Sequence, residues 1–324
     1  MFTTTHLRFV CEANTPLKLD GYRAGTNLRG AMGNVMQRAY CNHQDPKGFT
    51  RHASQRDFLQ NPSGLNCPVC WLLAANEKPG QERRGYTLTP PLDESEAGYA
   101  KGDRFEFGLT LFGDTVRLLP YFILTVPEMG RMGVGAGRGK FDLKQVWAFD
   151  PLTQQRECLL AEGDNMVHTP TLATSDIEQH AEKISQTMNG TLTIRFSTPM
   201  RLIFNEQLVK TPDFTVFFAR LLKRLDELNE QFGDKRRRPF EEVQSLHALT
   251  NQVRLIESDA RWIDVWSGSS RTGDRTPIGG FIGKATYSAP HDVWPTLLPH
   301  LLWGQLAQVG KDTVKGNGVF EIMN

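Results

Sequence analysis

The sequence predicts an α+β chain of two tandem ferredoxin-like (RNA-recognition-like) domains, each a βαββαβ unit with inserts. Three observations predict it. The stretch Leu298–Ile322 (LPHLLWGQLAQVGKDTVKGNGVFEI) repeats Leu119–Leu143 (LPYFILTVPEMGRMGVGAGRGKFDL) without a gap, so Gly137, Gly139 and Phe141 fall on Gly316, Gly318 and Phe320. A second echo, Thr191–Leu202 on Thr5–Leu19, keeps the same order at a nearly equal offset, as one fold used twice would. Strand and helix patterns then follow the order β, α, β, β, α, β in each half, the split βαβ arrangement.

The elements follow in chain order. Residues 5–12 alternate like a strand. Residues 26–40 place Leu28, Met32, Val35, Met36 and Ala39 on one helical face, with Thr26 or Asn27 as cap. Residues 42–66 are polar and aperiodic, an irregular insert. Residues 103–113 alternate again. A helix near 118–129, a glycine loop at 130–139 and a strand at 140–149 form the first copy of the repeat. Residues 150–187 read as a connection with weak structure. A strand at 191–204 opens the second half. A helix follows, with Thr211 as N-cap, Pro212 first in the helix and Asp213 at its positive end. Its apolar stripe is Phe214, Phe217, Phe218, Leu221, Leu225 and Leu228, and Gly233 ends it. Lys235-Arg236-Arg237-Arg238 reads as an exposed basic turn, with another helix near 239–256. Residues 260–288 read as a long hairpin. The expected domains are 1–150, with an insert at about 41–100, and 188–324, joined by 151–187.

Composition narrows the classes. The chain has 324 residues, 39% hydrophobic and 23% charged, as in water-soluble globular proteins. It has no apolar run near the roughly 20 residues of a membrane span, and no basic-then-apolar leader opens it. A cytoplasmic protein without a membrane partner is expected. Net charge is +1, which neither demands nor excludes nucleic acid, because local patches decide that interaction. The segment 151–187 holds 2 basic and 6 acidic side chains, against 18 and 15 before it and 17 and 15 after it; it separates two mildly basic halves. Five cysteines, an odd number, argue against a disulfide framework.

Three groups of residues can carry chemistry. In GKDTVKGNG, Gly310, Gly316 and Gly318 let backbone approach a ligand, Lys311 and Lys315 add charge, and free N–H groups could hold phosphate. The same glycines also suit a tight helix-to-strand connection. The first copy carries Arg138 and Lys140. At the hairpin tip, Ser269, Ser270, Arg271 and Arg275 sit near Trp262, Trp266 and Phe281; arginine contacts phosphate and stacks on bases, although charged tips are commonly just solvated. Cys67-Pro-Val-Cys70 has the spacing that places two thiolates on one metal, with Cys41 as a third ligand and His43 or His52 as a fourth. A structural zinc and three reduced thiols satisfy this pattern equally. No Ser-His-Asp order and no carboxylate cluster is present, so hydrolytic chemistry should need no metal.

Taken together, GRGKF at 137–141, the LFG of TLFG at 110–113, Arg261-Trp262, the SSR…PIGGFIGKATY run and the closing VGKDTVKGNGVFEI resemble the CRISPR-associated (Cas) family-six endoribonucleases of the RAMP superfamily. LRGAMG at 28–33, followed by CPVC, also recurs in RAMP proteins. The resemblance covers most of the chain and is thinnest at 42–100 and 150–187. It implies a precursor CRISPR RNA substrate and cleavage within the repeat without a metal cofactor. The ribose 2′-OH would attack the adjacent phosphate, leaving 2′,3′-cyclic phosphate and 5′-OH ends. It also implies a general base near the end of the first helix: His43 fits that position, His52 is second, and Tyr40 or Lys47 would assist. If His43 binds zinc, His52 becomes the base. Lys311, Lys315 and Arg271, with Arg275, Arg138, Lys140, Gly316 and Gly318, are the implied RNA contacts. Other Cas effector subunits are further expected partners. Two competing readings remain: a non-catalytic RAMP subunit that holds crRNA, and a tandem RNA-recognition protein outside CRISPR systems. The aromatic signature of RNA-recognition strands is absent, which counts against the latter.

Overall fold

The computed structural model describes residues 1–41, 67–74, 83–93, 98–172, 174–268 and 275–323; the Cys70 and Ala74 side chains lie outside that description. The first half runs β1 (Thr4–Ala13), α1 (Ala24–Tyr40), α2 (Pro68–Ala74), β2 (Tyr86–Thr89), β3 (Arg104–Phe112), α3 (Leu119–Met132), β4 (Phe141–Phe149) and β5 (Arg156–Leu160). After α4 (Ile177–Thr187) come β6 (Thr191–Met200), β7 (Leu202–Phe204), β8 (Gln207–Val209), α5 (Phe214–Phe232) and α6 (Phe240–Thr250). The chain then forms β9 (Arg254–Ser258), β10 (Arg261–Ile263), β11 (Trp266–Gly268), β12 (Arg275–Pro277), β13 (Gly280–Ser288), α7 (Trp294–Ala307) and β14 (Phe320–Met323).

Two five-stranded antiparallel sheets result among the described residues, ordered β2-β3-β1-β4-β5 and β10-β13-β6-β14 with β9 also on β13, beside the small hairpins β7-β8 and β11-β12. Both sheets therefore follow the order second, third, first, fourth strand of a βαββαβ unit. Period-2 alternation sends Leu7, Phe9, Cys11 and Ala13 of β1 into one core, and Leu192, Ile194 and Phe196 of β6 into the other. α1 and α3 cover the first sheet, while α5 and α7 cover the second. All six residues of the α5 stripe are buried. The cores meet where Phe2, Phe112 and Phe232 pack together, Phe2 at right angles to Phe112 with centroids at 5.7 Å and Phe112 tilted against Phe232 at 6.1 Å.

The repeat is real in three dimensions, but its helices are not superposable residue by residue. Leu119-Pro120 opens α3, whereas the matching Pro299 lies inside α7, which starts at Trp294. The strands realign, since β4 begins at Phe141 and β14 at Phe320.

Several local expectations are corrected. α1 starts at Ala24, behind Arg23 and with no side-chain cap; the Asn27 amide instead donates to the Leu19 carbonyl at 2.9 Å, and Ala39 is exposed. α3 continues through Gly130, which shortens the glycine loop to 133–140. Residues 150–187 are not weakly structured: β5 takes the free edge of β4, and α4 packs on α7. β5 is a tertiary pairing with no local signal, whereas α4 carries one in its Asp176 cap and the stripe Ile177, Ala181 and Ile184. Asp213, not Thr211, caps α5, its carboxylate accepting the Val216 N–H at 2.9 Å. The helix expected to 256 ends at Thr250 and β9 follows. Arg237 and Arg238 of the basic turn are paired with Glu230 and Asp226.

Candidate nucleic-acid interface and reaction site

The second glycine loop, 308–319, is where the halves interlock. A Cβ on Gly25 of α1 would stand 2.1 Å from the Lys315 carbonyl oxygen, and one on Gly316 would stand 2.8 Å from the Pro90 ring. Gln308 donates its amide to the Leu88 carbonyl at 3.1 Å and to the Thr89 hydroxyl at 3.0 Å, across the junction. The buried Asn317 amide donates to the Ile278 carbonyl at 2.7 Å, pinning the root of the β11–β12 hairpin. The backbone N–H groups of Val309, Lys311 and residues 315–319 all donate within the chain. None of these is left for a phosphate, so the glycines are needed for close packing and positive φ, +86° at Gly316 and +78° at Gly318. Lys311 is exposed. Lys315 pairs with Asp312 at 2.9 Å and is mostly covered.

A cleft of about 660 Å³ opens beside this loop, lined by Lys18, Asp20, Tyr22, Pro90, Leu92, Ser197, Thr198, Arg261 and Gly316. Both halves supply walls. Tyr22 is 41% exposed, enough to offer a ring face to a base. The first glycine loop leans on the cleft's other border. A Cβ on Gly135 would lie 2.1 Å from the Lys18 carbonyl, and one on Gly139 would lie 2.7 Å from the Leu17 Cα. The exposed Arg138 and Lys140 thereby stand next to Lys18. Arg275 is exposed on β12. Local patterning does not single out Lys18 or Tyr22; only the contact of the first loop with residues 16–19 reveals them.

The end of α1 is elsewhere. Sixteen residues separate Gly25 from Cys41, about 24 Å at helical rise. There Tyr40 is half-buried, edge-on to Tyr121 at 5.7 Å, and burial together with Glu128 raises its phenol pKa. It is therefore a proton donor rather than a base at neutral pH. Next along the chain, Cys41 Sγ and Cys67 Sγ lie 3.6 Å apart, both buried. His43, Lys47 and His52 lie outside the described residues, as do Arg271 and the Cys70 side chain. Among the described residues no group of three histidine, cysteine or acidic side chains is placed to hold a metal. Two described histidines are structural: burial lowers His6 and His300 to a pKa of about 4. His6 is held between the Thr110 and Thr4 hydroxyls at 2.9 and 3.1 Å. No helix among the described residues is long and apolar enough to cross a membrane.

Two βαββαβ halves joined through a glycine loop, with a cation-bordered cleft at the joint, define a tandem ferredoxin-like protein. A family model described as the AF_1859 N-terminal domain matches residues 2–172, and the model for CRISPR-associated endoribonuclease Cas6 matches residues 194–320. The second half of the chain thus carries a domain of the CRISPR-associated endoribonuclease Cas6 family. No curated protein sequence matches it. Among solved structures, Thermus thermophilus Cas6 (TTHB231) is similar at 14% identity and a TM-score of 0.57, over 100% of this chain and 99% of that one. Its product complex gives 16% and 0.56, over 99% and 100%. A partial Cas6-RT-Cas1–Cas2 complex gives 12% and 0.59, over 100% of this chain and 46% of that one. These likenesses bear on the fold.

Proposed function

We propose that this endoribonuclease cuts precursor CRISPR RNA within the repeat by attack of a ribose 2′-OH on the adjacent phosphorus. The 2′-O–P bond forms, the P–O5′ bond breaks, and the ends are a 2′,3′-cyclic phosphate and a 5′-OH. The observation that carries this reading is the cleft at the joint of the two halves, with Lys18, Tyr22 and Arg261 on its walls, in a chain with a domain of this family. Arg138, Lys140 and Arg275 extend the cationic border as phosphate contacts, and Lys311 adds another from the far side of the glycine loop. His43 is the proposed base for the 2′-OH proton and His52 its alternate, with Lys47 balancing charge on the phosphate and Tyr40, kept protonated, donating a hydrogen bond to it. Such a set needs no metal for the chemical step. A zinc held by Cys41, Cys67 and Cys70 is proposed as a staple only. The 3.6 Å between two of these sulfurs is near the roughly 3.8 Å that two Zn–S bonds span in a tetrahedron. RNA is the proposed partner, and other Cas subunits are proposed to receive the product.

The test is cleavage of repeat RNA in EDTA, beside a copy with a 2′-deoxy at the cut site. Cutting of the first alone supports the mechanism. Tight binding with no cutting of either would make the chain a crRNA-holding subunit instead. His43→Ala should abolish cleavage and spare binding; full activity in that variant would move the base elsewhere.

A further inference from the structure

The glycine loop borders a second hollow, separate from the cleft. Gly316 faces the cleft; Gly310 and Lys311 face a pocket of about 200 Å³ whose other walls are Arg83, Arg201, Leu202, Ile203, Arg220, Lys223, Arg224 and Glu227. Its six cations face one carboxylate, and that carboxylate is already paired, Arg83 to Glu227 at 2.6 Å. Arg201 and Arg224 hydrogen-bond to neutral acceptors: Arg201 to the Gly279 carbonyl at 2.9 Å, and Arg224 to the Ala307 carbonyl and the Thr313 hydroxyl, both at 3.1 Å. These bonds fix the two guanidinium groups on the pocket wall. The buried Nε of Arg220 has no hydrogen-bond partner among the described residues. Like charges brought together at a wall are costly unless an anion joins them.

An aromatic ring adjoins the pocket. The Arg220 guanidinium lies 5.6 Å from the Phe204 ring centre, and Phe204, on the β7–β8 hairpin, is 40% exposed. An exposed ring beside a phosphate-sized cationic hollow is the pairing that single-stranded nucleic acid uses, base on the ring and backbone in the charge. The pocket also has a position that suits a strand. Next to Arg83, the side chain of Gln231 accepts the Arg83 N–H at 2.6 Å; one residue on, Phe232 meets Trp71 of α2, a helix that starts at Pro68 just after Cys67, which lies beside the end of α1. A run of contacts thus leads from the pocket toward the end of α1.

We infer that this pocket is a subsite for one unpaired ribonucleotide of the RNA chain, with its phosphates held by Arg220, Lys223 and Lys311 and its base stacked on Phe204. The inference rests on the RNA-cleaving reading above and adds to it a single-strand requirement away from the cut. The test uses the full chain in EDTA and two labelled 12-nucleotide probes, oligouridylate and an abasic ribose-phosphate strand of equal length. Wild type should bind oligouridylate about tenfold tighter than the abasic strand, and Phe204→Ala should narrow that difference severalfold, beyond what Tyr22→Ala in the cleft does. In the Arg220→Gln/Lys223→Gln double variant, oligouridylate should bind at least tenfold more weakly, with a salt slope smaller by about 1.4. Equal binding of both strands by wild type overturns the stacking, and needs no variant that has to fold. An unchanged slope in a double variant that melts like wild type overturns the phosphate site. Repeat-RNA cleavage by wild type is followed in parallel. Loss of oligouridylate binding in the variants without any cleavage by wild type sinks only the enzyme reading; cleavage with unchanged oligouridylate binding sinks only the subsite.

Discussion

Lys311 and Lys315 look equivalent as letters, yet one is open to solvent and the other is closed onto Asp312. Lys311→Ala should therefore lower the salt slope of repeat-RNA binding by about 0.7 to 0.9, while Lys315→Ala should change it by less than half as much. Equal losses would mean that Lys315 leaves Asp312 when RNA arrives. His6 gives a residue-scale pH effect. Its folded pKa of about 4 lies below the ordinary 6.5, so between those values the unfolded chain binds a proton that the folded one refuses. Stability is then whole above pH 6.5 and lost as pH falls toward 4. Between pH 7 and 5.5 the loss from His6 should be about 1 kcal/mol, read as the difference in urea midpoints between wild type and His6→Gln. Parallel curves for the two would show that His6 is not protected in the fold.

At the scale of elements, the contact of α1 with the glycine loop is the tightest joint. Gly25→Ala puts a methyl 2.1 Å from the Lys315 carbonyl, a backbone atom that cannot rotate away. It should cost about 1–3 kcal/mol, seen as a fall in melting temperature, and weaken repeat-RNA binding as Gly316 leaves the cleft wall. Unaltered melting would mean that the loop is not seated on α1. The elements themselves were largely readable. The strands at β1, β3 and β4 and the stripe of α5 come from alternation and from 3.6-residue periodicity, which burial enforces directly. β5 and the end of α6 were not readable, since one exists only through the edge of β4 and the other yields to pairing with β13. The cap of α5 was misplaced by two residues because Thr211, Pro212 and Asp213 all suit a helix start, and only the backbone path chooses among them.

At the scale of the whole molecule, two cores share one seam. The repeat in the sequence announces two similar halves, but it says nothing about how they meet, because the seam is made by Gln308, Arg83 and the glycines, none of which is periodic. For the same reason the cleft cations were only half legible: Arg138 and Lys140 stand out in a repeated loop, whereas Lys18 and Tyr22 acquire meaning from a contact across sequence. The basic face of α5, Arg220, Lys223 and Arg224 at spacings of three and four, was a signal within reach. Gln308→Ala should remove two hydrogen bonds between halves, one buried and one partly buried, and cost about 1–3 kcal/mol. Calorimetry should show one transition in wild type and two overlapping ones in the variant; a single sharp transition in both would place the coupling in the Phe2–Phe112–Phe232 cluster instead.

The seam also orders events during synthesis. Val314 completes the core of the first half, yet it is translated more than 150 residues after β5. Until then the notch over Gly25 is empty and the cleft lacks the part of its wall that Gly316 supplies. A ribosome-bound fragment can thus have most of its first domain shaped and still possess no groove for RNA, so the capacity to grip a transcript arrives late and all at once, with the loop that closes the joint.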